Sequence, residues 1–412
     1  MTAAVVAATH PRADVVGVDA MPEHIAHARE FCTRAAIRNV TLHQADFGSP
    51  DLVALPRFEY IVAHGVYTWV SAAARADVRA FIDRHLKPGG LVYVSYNAMP
   101  GWAADLPLQR VLLELAAAGR GDSNARFAAA AEAVERMTDA GALALVASPL
   151  ARSGLAERRK RIAGAYFPHE FLPAAWQPLY VTDVRNDFAQ IGLEPIASAT
   201  IRDNFDTYTL KARWRDALAT VEEPNLRELL RDFFRSTPFR RDVFGRDVRV
   251  LEDAERRARI FALSFQLARP RDQVEYCMPT VAGEVGFDTA AAQHIVASLA
   301  GGPRRLEDIG DARFPPADLL ANAVALCAAD DVRPVASQAV PVENLNRTLA
   351  ADAAAFPYRV SPHGTAIRIA AAPAGASEAE AHASSEGWAR FFDVHGMGVP
   401  ASGHAADGRS RA

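Results

Sequence analysis

Two short stretches gather the side chains best suited to chemistry. His64-Gly65-Val66-Tyr67-Thr68-Trp69-Val70 and Tyr96-Asn97-Ala98-Met99-Pro100-Gly101-Trp102 each place aromatic rings and a polar group directly after an apolar run. Aromatic faces hold ammonium or sulfonium cations through their quadrupoles, at roughly 0.5–2 kcal/mol each depending on burial. They also strip water, and the Asn97 carbonyl oxygen can orient a nucleophile. For Tyr67, Trp69, Tyr96 and Trp102 the competing account is a packed core under a lid. Asp19 closes another apolar run just ahead of a helix start at Pro22. A carboxylate there either accepts from both ribose hydroxyls of an adenosine cofactor or caps the helix. His64 and His169-Glu170 are candidate bases, with a structural hydrogen bond as the rival role for a histidine.

Other chemistries lack their residues. No His, Cys, Asp or Glu set has metal spacing, and no Gly-x-Ser-x-Gly elbow marks an acyl hydrolase. Cys32, Cys277 and Cys327 are far apart and odd in number, which argues against a disulfide framework and for a reducing, cytoplasmic setting. The 412 residues carry 45 Lys plus Arg against 49 Asp plus Glu, a formal net charge of -4, so nucleic acid and anionic membrane are not expected partners. The basic run Arg158-Arg159-Lys160-Arg161 reads as a solvated helix face. Met1–Pro11 lacks a basic leader, and no run approaches the ~20 apolar residues that span a bilayer, so no membrane insertion is expected. Oligomeric state is not legible.

These residues need a scaffold, and the pattern supplies one. A helix over Ala3–Thr9, a strand from Ala13 to Asp19, a helix from Pro22 past Cys32, strands over Asn39–Gln44 and Phe58–Ala63, and a helix over Ala72–His85 lead to Leu86-Lys87-Pro88-Gly89-Gly90, read as a turn, and a strand over Leu91–Ser95. Strands alternating with helices at this spacing predict a parallel, doubly wound α/β sheet, whose carboxyl edge binds ligands. Beyond Trp102, helical sequence runs from Pro107 to about Ala165. A helix over Val184–Ile191 follows, then a hairpin of Pro195–Ile201 and Thr207–Lys211 with Arg202-Asp203-Asn204 as its turn. From about Ala212 strands largely vanish. An amphipathic helix carries Leu226, Leu229, Leu230, Phe233 and Phe234; three short helices over Ala290–Leu299, Leu306–Ile309 and Leu319–Ala328 precede a strand at Val332–Ala336, which suggests a winged-helix-like unit. Ala371–Ala412, rich in Ala, Gly and Ser, is expected to stay loose.

Leu86–Gly90 before a strand resembles the last core segment of class I S-adenosylmethionine-dependent methyltransferases. The pairing of "HGVYTWV" with "SYNAMPGW" at Ser95–Trp102, followed by "PHEFL" at Pro168–Leu172 and "FRRDVF" at Phe239–Phe244, resembles bacterial protein-lysine-methyltransferase-like enzymes that carry a methyltransferase regulatory domain. The likeness runs from about Val15 to about Ala336. It implies S-adenosylmethionine as cofactor, held by Asp19 and Ala20, by Asp46 on the adenine amine, by Phe47 against the adenine face, and by His64 and Gly65. It further implies a protein lysine as substrate, with Tyr67, Trp69, Tyr96, Asn97 and Trp102 as the catalytic set. Their role would be placement and desolvation, which lowers an amine pKa from its usual ~10.4 and requires no dedicated strong base.

The resemblance also sets the domain expectation. Residues 1–105 form the methyltransferase core, 106–165 a helical insertion or lid, 166–212 the end of the sheet, 213–340 a helical regulatory domain, and 341–412 a partly disordered C-terminal segment. Family members carry a glycine-rich loop after a first strand that lies between the strands ending here at Asp19 and His64. The sequence starts after that loop, so the core is expected to be N-terminally truncated and the natural start to lie upstream. A non-catalytic interaction protein that has lost cofactor binding is the rival function, and a nicotinamide oxidoreductase the third.

Overall fold

The computed structural model describes residues 2–155, 166–351 and 358–368, together with 388, 390–392, 394, 395 and 397. They fall into two compact units. One comprises Met1–Asp46, Leu251–Met278 and Val285–Ala412, the other Phe47–Val250 and Pro279–Glu284.

In the first unit a helix over Thr2–Thr9 precedes strand β1 (Val15–Asp19), and a helix over Pro22–Arg34 leads to β2 (Val40–Gln44). Proline in the first helical turn, where its missing N–H is no loss, fixes where that helix starts. The two strands pair in parallel, Val15 opposite Val40 and Asp19 opposite Gln44. Asn39 fastens the entry to β2 by donating its amide to the carbonyls of Ala7, His10 and Ala13. Ala4, Phe31 and Cys32 are buried with Val342, Leu345, Leu349 and Val360.

The C-terminal part of this unit holds the expected helices at Ala290–Leu299, Leu306–Ile309 and Pro316–Ala328. It also holds a three-stranded antiparallel sheet with Ser264–Leu267 between Arg304–Arg305 and Val332–Val335. The sequence reading found only the last of these strands, because Ser264–Leu267 alternates polar and apolar residues over only four positions and Arg304–Arg305 is two residues long. In the segment expected to be loose, Trp388, Phe391, Phe392 and Met397 are buried; most of that segment lies outside the described residues, as does the basic run at 158–161.

The second unit is organised around a four-stranded sheet. Strands β3 (Phe58–Ala63), β4 (Leu86–Asn97), β5 (Glu194–Ser198) and β6 (Phe239–Gly245) lie in the order β3-β4-β6-β5. β3 and β4 are parallel, joined by the helix over Ala72–His85, whose Ser71 side chain caps its first turn. β6 runs antiparallel to both β4 and β5.

Three expectations are corrected here. The Pro-Gly-Gly segment does not stand outside the strand as a turn. It is a register shift within β4, with Gly89 at φ +73 and its N–H on the Arg246 carbonyl. The expected hairpin partner at Thr207–Lys211 is not a strand, since Asp206–Thr209 is one helical turn, with Asp206 held by Arg227 and Arg231. β5 pairs instead with β6, the "FRRDVF" segment, which lies in the stretch where strands had been expected to vanish.

The helices after Trp102, at Leu106–Ala118, Ser123–Asp139, Leu143–Val146 and Pro149–Arg152, close over their own core with Tyr166–Phe171. Leu108, Leu112, Phe127, Val134, Phe167 and Phe171 form it. Residues 156–165 of the expected lid lie outside the described residues.

Candidate active site

Alternation along β4 sorts its side chains. Val92, Val94, Tyr96 and Ala98 enter a core with Tyr67, Val78, Ile82, Val184, Phe188 and Phe244. Tyr93, Ser95 and Asn97, odd-numbered, lie on the other face. There the Ser95 hydroxyl accepts from the Gly65 N–H at 3.1 Å and lies 3.2 Å from His64 Nδ1, which is 3.3 Å from the Tyr93 hydroxyl. His64 and Gly65 are exposed at the carboxyl end of β3. Gly65, at φ +66, has open space where a Cβ would stand. Desolvation, with the Arg241 charge adding to it, lowers the His64 pKa below its usual value, so the ring is neutral at pH 7.

Two residues along the chain, Asn97 is 4% exposed. Its backbone N–H donates to Thr68 Oγ1 and its side-chain Nδ2 to Glu170 Oε1, each at 2.8 Å. Burial pushes the Glu170 carboxyl up. Asn97 opposes this, as does the Trp176 indole, which lies near but outside hydrogen-bond geometry. Trp102 donates its indole N–H to the Pro238 carbonyl at 2.8 Å and meets Trp176 edge-on at 5.1 Å. Trp69 is half-buried, and its indole nitrogen has no hydrogen-bond partner among the described residues.

Tyr67 and Tyr96 lie apart from this group. Both are 0% exposed. Tyr67 stacks on Phe188 and donates to Asp187 at 2.7 Å, an acceptor it shares with Arg79. Tyr96 donates to Asp242 at 2.6 Å, within an ion network in which Arg240 joins Asp242, Asp232 and Glu228. One residue of register sends Tyr96 to the face opposite Asn97. Both tyrosines are thereby core residues that support the strand ends, instead of rings lying over a substrate as the sequence reading expected.

In the first unit, Asp19 closes β1 and Ala45 follows β2, with the Ala45 N–H on the Asp19 carbonyl. Asp19 Oδ1 accepts from the Met21 N–H at 2.9 Å and Oδ2 lies 3.1 Å from His24 Nδ1, so the carboxylate ties the turn before the helix, whose N-cap position is Met21 and not Asp19. The carboxylate is nevertheless 42% exposed, and Ala20 and Asp46 are exposed beside the same parallel strand ends. Two open carboxylates there match the donor groups of adenosine, ribose hydroxyls and an exocyclic amine. Phe47 belongs to the second unit, partly buried against its sheet core.

Sequence reasoning overlooked Thr68 and Ser95. The period of two that puts Ser95 with Asn97 was available in the sequence. The pairing of Thr68 with the Asn97 N–H was not, because it depends on how the chain turns after β3. Among the described residues no three His, Cys, Asp or Glu side chains are grouped as a metal site, and no helix is long and apolar enough to cross a membrane.

Comparison with known proteins bears on the fold and on two segments of the chain. Residues 1–90 match the model of a methyltransferase domain, and residues 163–246 that of a predicted methyltransferase regulatory domain. An uncharacterized protein from Synechocystis sp. is 31% identical over 306 residues, 74% of this chain and 60% of the relative, so the chain spans about three-fifths of that protein's length. An uncharacterized protein from Rickettsia prowazekii is 31% identical over 107 residues, 26% of this chain and 42% of its own. Among solved structures, PKMT2 from Rickettsia typhi in complex with AdoHcy superposes with a TM-score of 0.65 at 18% identity, covering 89% of this chain and 77% of that one. The chain has the class I methyltransferase fold, and two of its segments match the models of a methyltransferase domain and of a methyltransferase regulatory domain.

Proposed function

We propose that this protein is an S-adenosylmethionine-dependent methyltransferase acting on an amine, with protein lysine as the substrate. The observation that carries this reading is the Asn97–Glu170 hydrogen bond of 2.8 Å at the carboxyl end of β4, on the same face as Ser95, His64 and Gly65. In the first unit Asp19, Ala20 and Asp46 would hold the adenosine part of the cofactor; in the second, Phe47, His64 and Gly65 are the candidate cofactor residues. When bound, the cofactor supplies a methyl group on a positively charged sulfur. Asn97, its amide nitrogen committed to Glu170, presents its carbonyl oxygen to an incoming N–H and so aims the nitrogen lone pair. Trp69 and Trp102 exclude water and favour the cationic partner. Tyr67 and Tyr96 keep the two strand ends in register from the core side.

The test uses the full-length protein with labelled S-adenosylmethionine and cell lysate, followed by mass spectrometry of labelled bands. Methylated lysine that disappears with Asn97→Ala supports the reading. Cofactor binding without transfer to any amine, or no cofactor binding, would favour the non-catalytic interaction protein.

A further inference from the structure

Resting on that amine-methylating role, we propose that Glu170 is the catalytic base, taking a proton from the substrate ammonium beside Asn97. The helix Tyr166–Phe171 commits Phe167 and Phe171 to the helical core with Leu108, Leu112 and Phe127, while the Glu170 carboxylate reaches the end of β4 and accepts from Asn97. Among the described residues, the side chains that act on its proton affinity are the uncharged Asn97 and Trp176. Asn97 comes from β4 and Trp176 from the segment after the helix. Behind lie Leu108, Leu112 and Phe127, with Gln109 tied to the Phe171 carbonyl.

Glu228, a carboxylate held within an ion network, differs from Glu170 in its surroundings. Glu228 lies among Arg240, Arg231 and Arg185; burial opposes its charge, but those arginines outweigh it and hold its carboxyl at about 2. Among the described residues no such cation acts on Glu170, and burial pushes it up. The same desolvation pushes an amine down, so the two proton affinities converge where the groups meet. Transfer removes two opposite charges from a poorly solvated place. In the step, one N–H bond breaks, an O–H bond forms on Glu170, and the lone pair stays on nitrogen. The proton passes to solvent when the product leaves, one per methyl transferred.

Two measurements on the full-length protein test this. In the first, n-pentylamine stands for the lysine side chain and 1-pentanol for its uncharged counterpart, with binding followed by calorimetry. Wild type should prefer the amine about tenfold or more, and Glu170→Gln should lose the preference while keeping its melting temperature. In the second, poly-L-lysine is the acceptor for labelled S-adenosylmethionine. Glu170→Gln should lower kcat about 100-fold with cofactor Kd unchanged, and Glu170→Asp should recover part of it. A Gln variant within threefold of wild type in kcat, or a wild type without amine preference, overturns the assignment. If wild type binds no cofactor, the methyltransferase reading fails, and the amine preference still decides whether Glu170 receives a cation.

Discussion

The Tyr96 hydroxyl donates to Asp242 Oδ2 across 2.6 Å, and both residues are buried. Burial, then the neighbouring carboxylate, push the Tyr96 hydroxyl far above its usual pKa, so it stays protonated as a donor. Tyr96→Phe keeps the ring and removes that donor, leaving a buried charge one bond short. The expected loss is about 1–3 kcal/mol, read from denaturant unfolding, with turnover of the folded enzyme nearly unchanged. A large fall in kcat at unaltered stability would return Tyr96 to the substrate side.

Gly101 sets the approach of the Pro-Gly-Trp turn to the start of β6. A Cβ on it would meet the Thr237 carbonyl oxygen at 2.4 Å and Pro238 backbone atoms at 2.5 Å. Backbone cannot rotate away as a side chain can. Gly101→Ala should destabilise by about 1–3 kcal/mol or more and displace Trp102 from Pro238. Tryptophan fluorescence and thermal melts would reveal both effects.

Glu228 gives the ion network its acid sensitivity. Its folded-state pKa of about 2 lies below the ordinary glutamate value, so its contribution is present above pH ~4.3 and is lost as the pH falls toward ~2. Asp232, raised by burial despite Arg240, acts in the opposite sense. Glu228→Gln leaves Arg240 short of a carboxylate at a cost of about 3 kcal/mol near neutral pH. The gap between wild type and variant should narrow when unfolding is repeated near pH 3 and close only as the pH approaches ~2. A gap independent of pH would mean that the lost packing, not the charge, mattered.

Much of this could be read from the sequence, and the failures share a cause. Phe58–Ala63 and Ala72–His85 were legible to the residue because apolar runs and helical spacing are local signals. β6 was missed because Phe239–Gly245 sets three consecutive charged residues between its apolar ends and looks like surface, until Arg240 and Asp242 find partners on other elements. In the sequence the aromatic residues read as one group. Their division between two faces follows from strand register, which a list of motifs does not contain.

Asp19 combines two roles, and substitutions separate them. Asp19→Asn can still accept from the Met21 N–H but offers fewer acceptor sites to a ribose diol, whereas Asp19→Ala loses both. Cofactor affinity by calorimetry should fall in both variants, and helix stability mainly in the second. Equal affinity in wild type, Asp19→Asn and Asp19→Ala is the outcome that leaves Asp19 only the turn before the helix.

The histidine question is decided by pH. His64 touches Ser95 and Tyr93, and its lowered pKa means that the unfolded chain binds more protons between that value and ~6.5. Stability therefore rises with pH across that window, and His64→Gln should flatten this part of the stability curve. Catalysis should respond differently. With His64 holding the strand ends and no proton to carry, His64→Gln should change kcat by less than about threefold. The acid limb of kcat/KM should persist in that variant and vanish in Glu170→Gln, because it reports the carboxylate beside Asn97. At higher pH the Glu170→Gln profile should keep rising as free lysine loses its proton, whereas His64→Gln, with its base intact, should level off. An acid limb that vanishes with His64→Gln and survives Glu170→Gln would make the histidine the base.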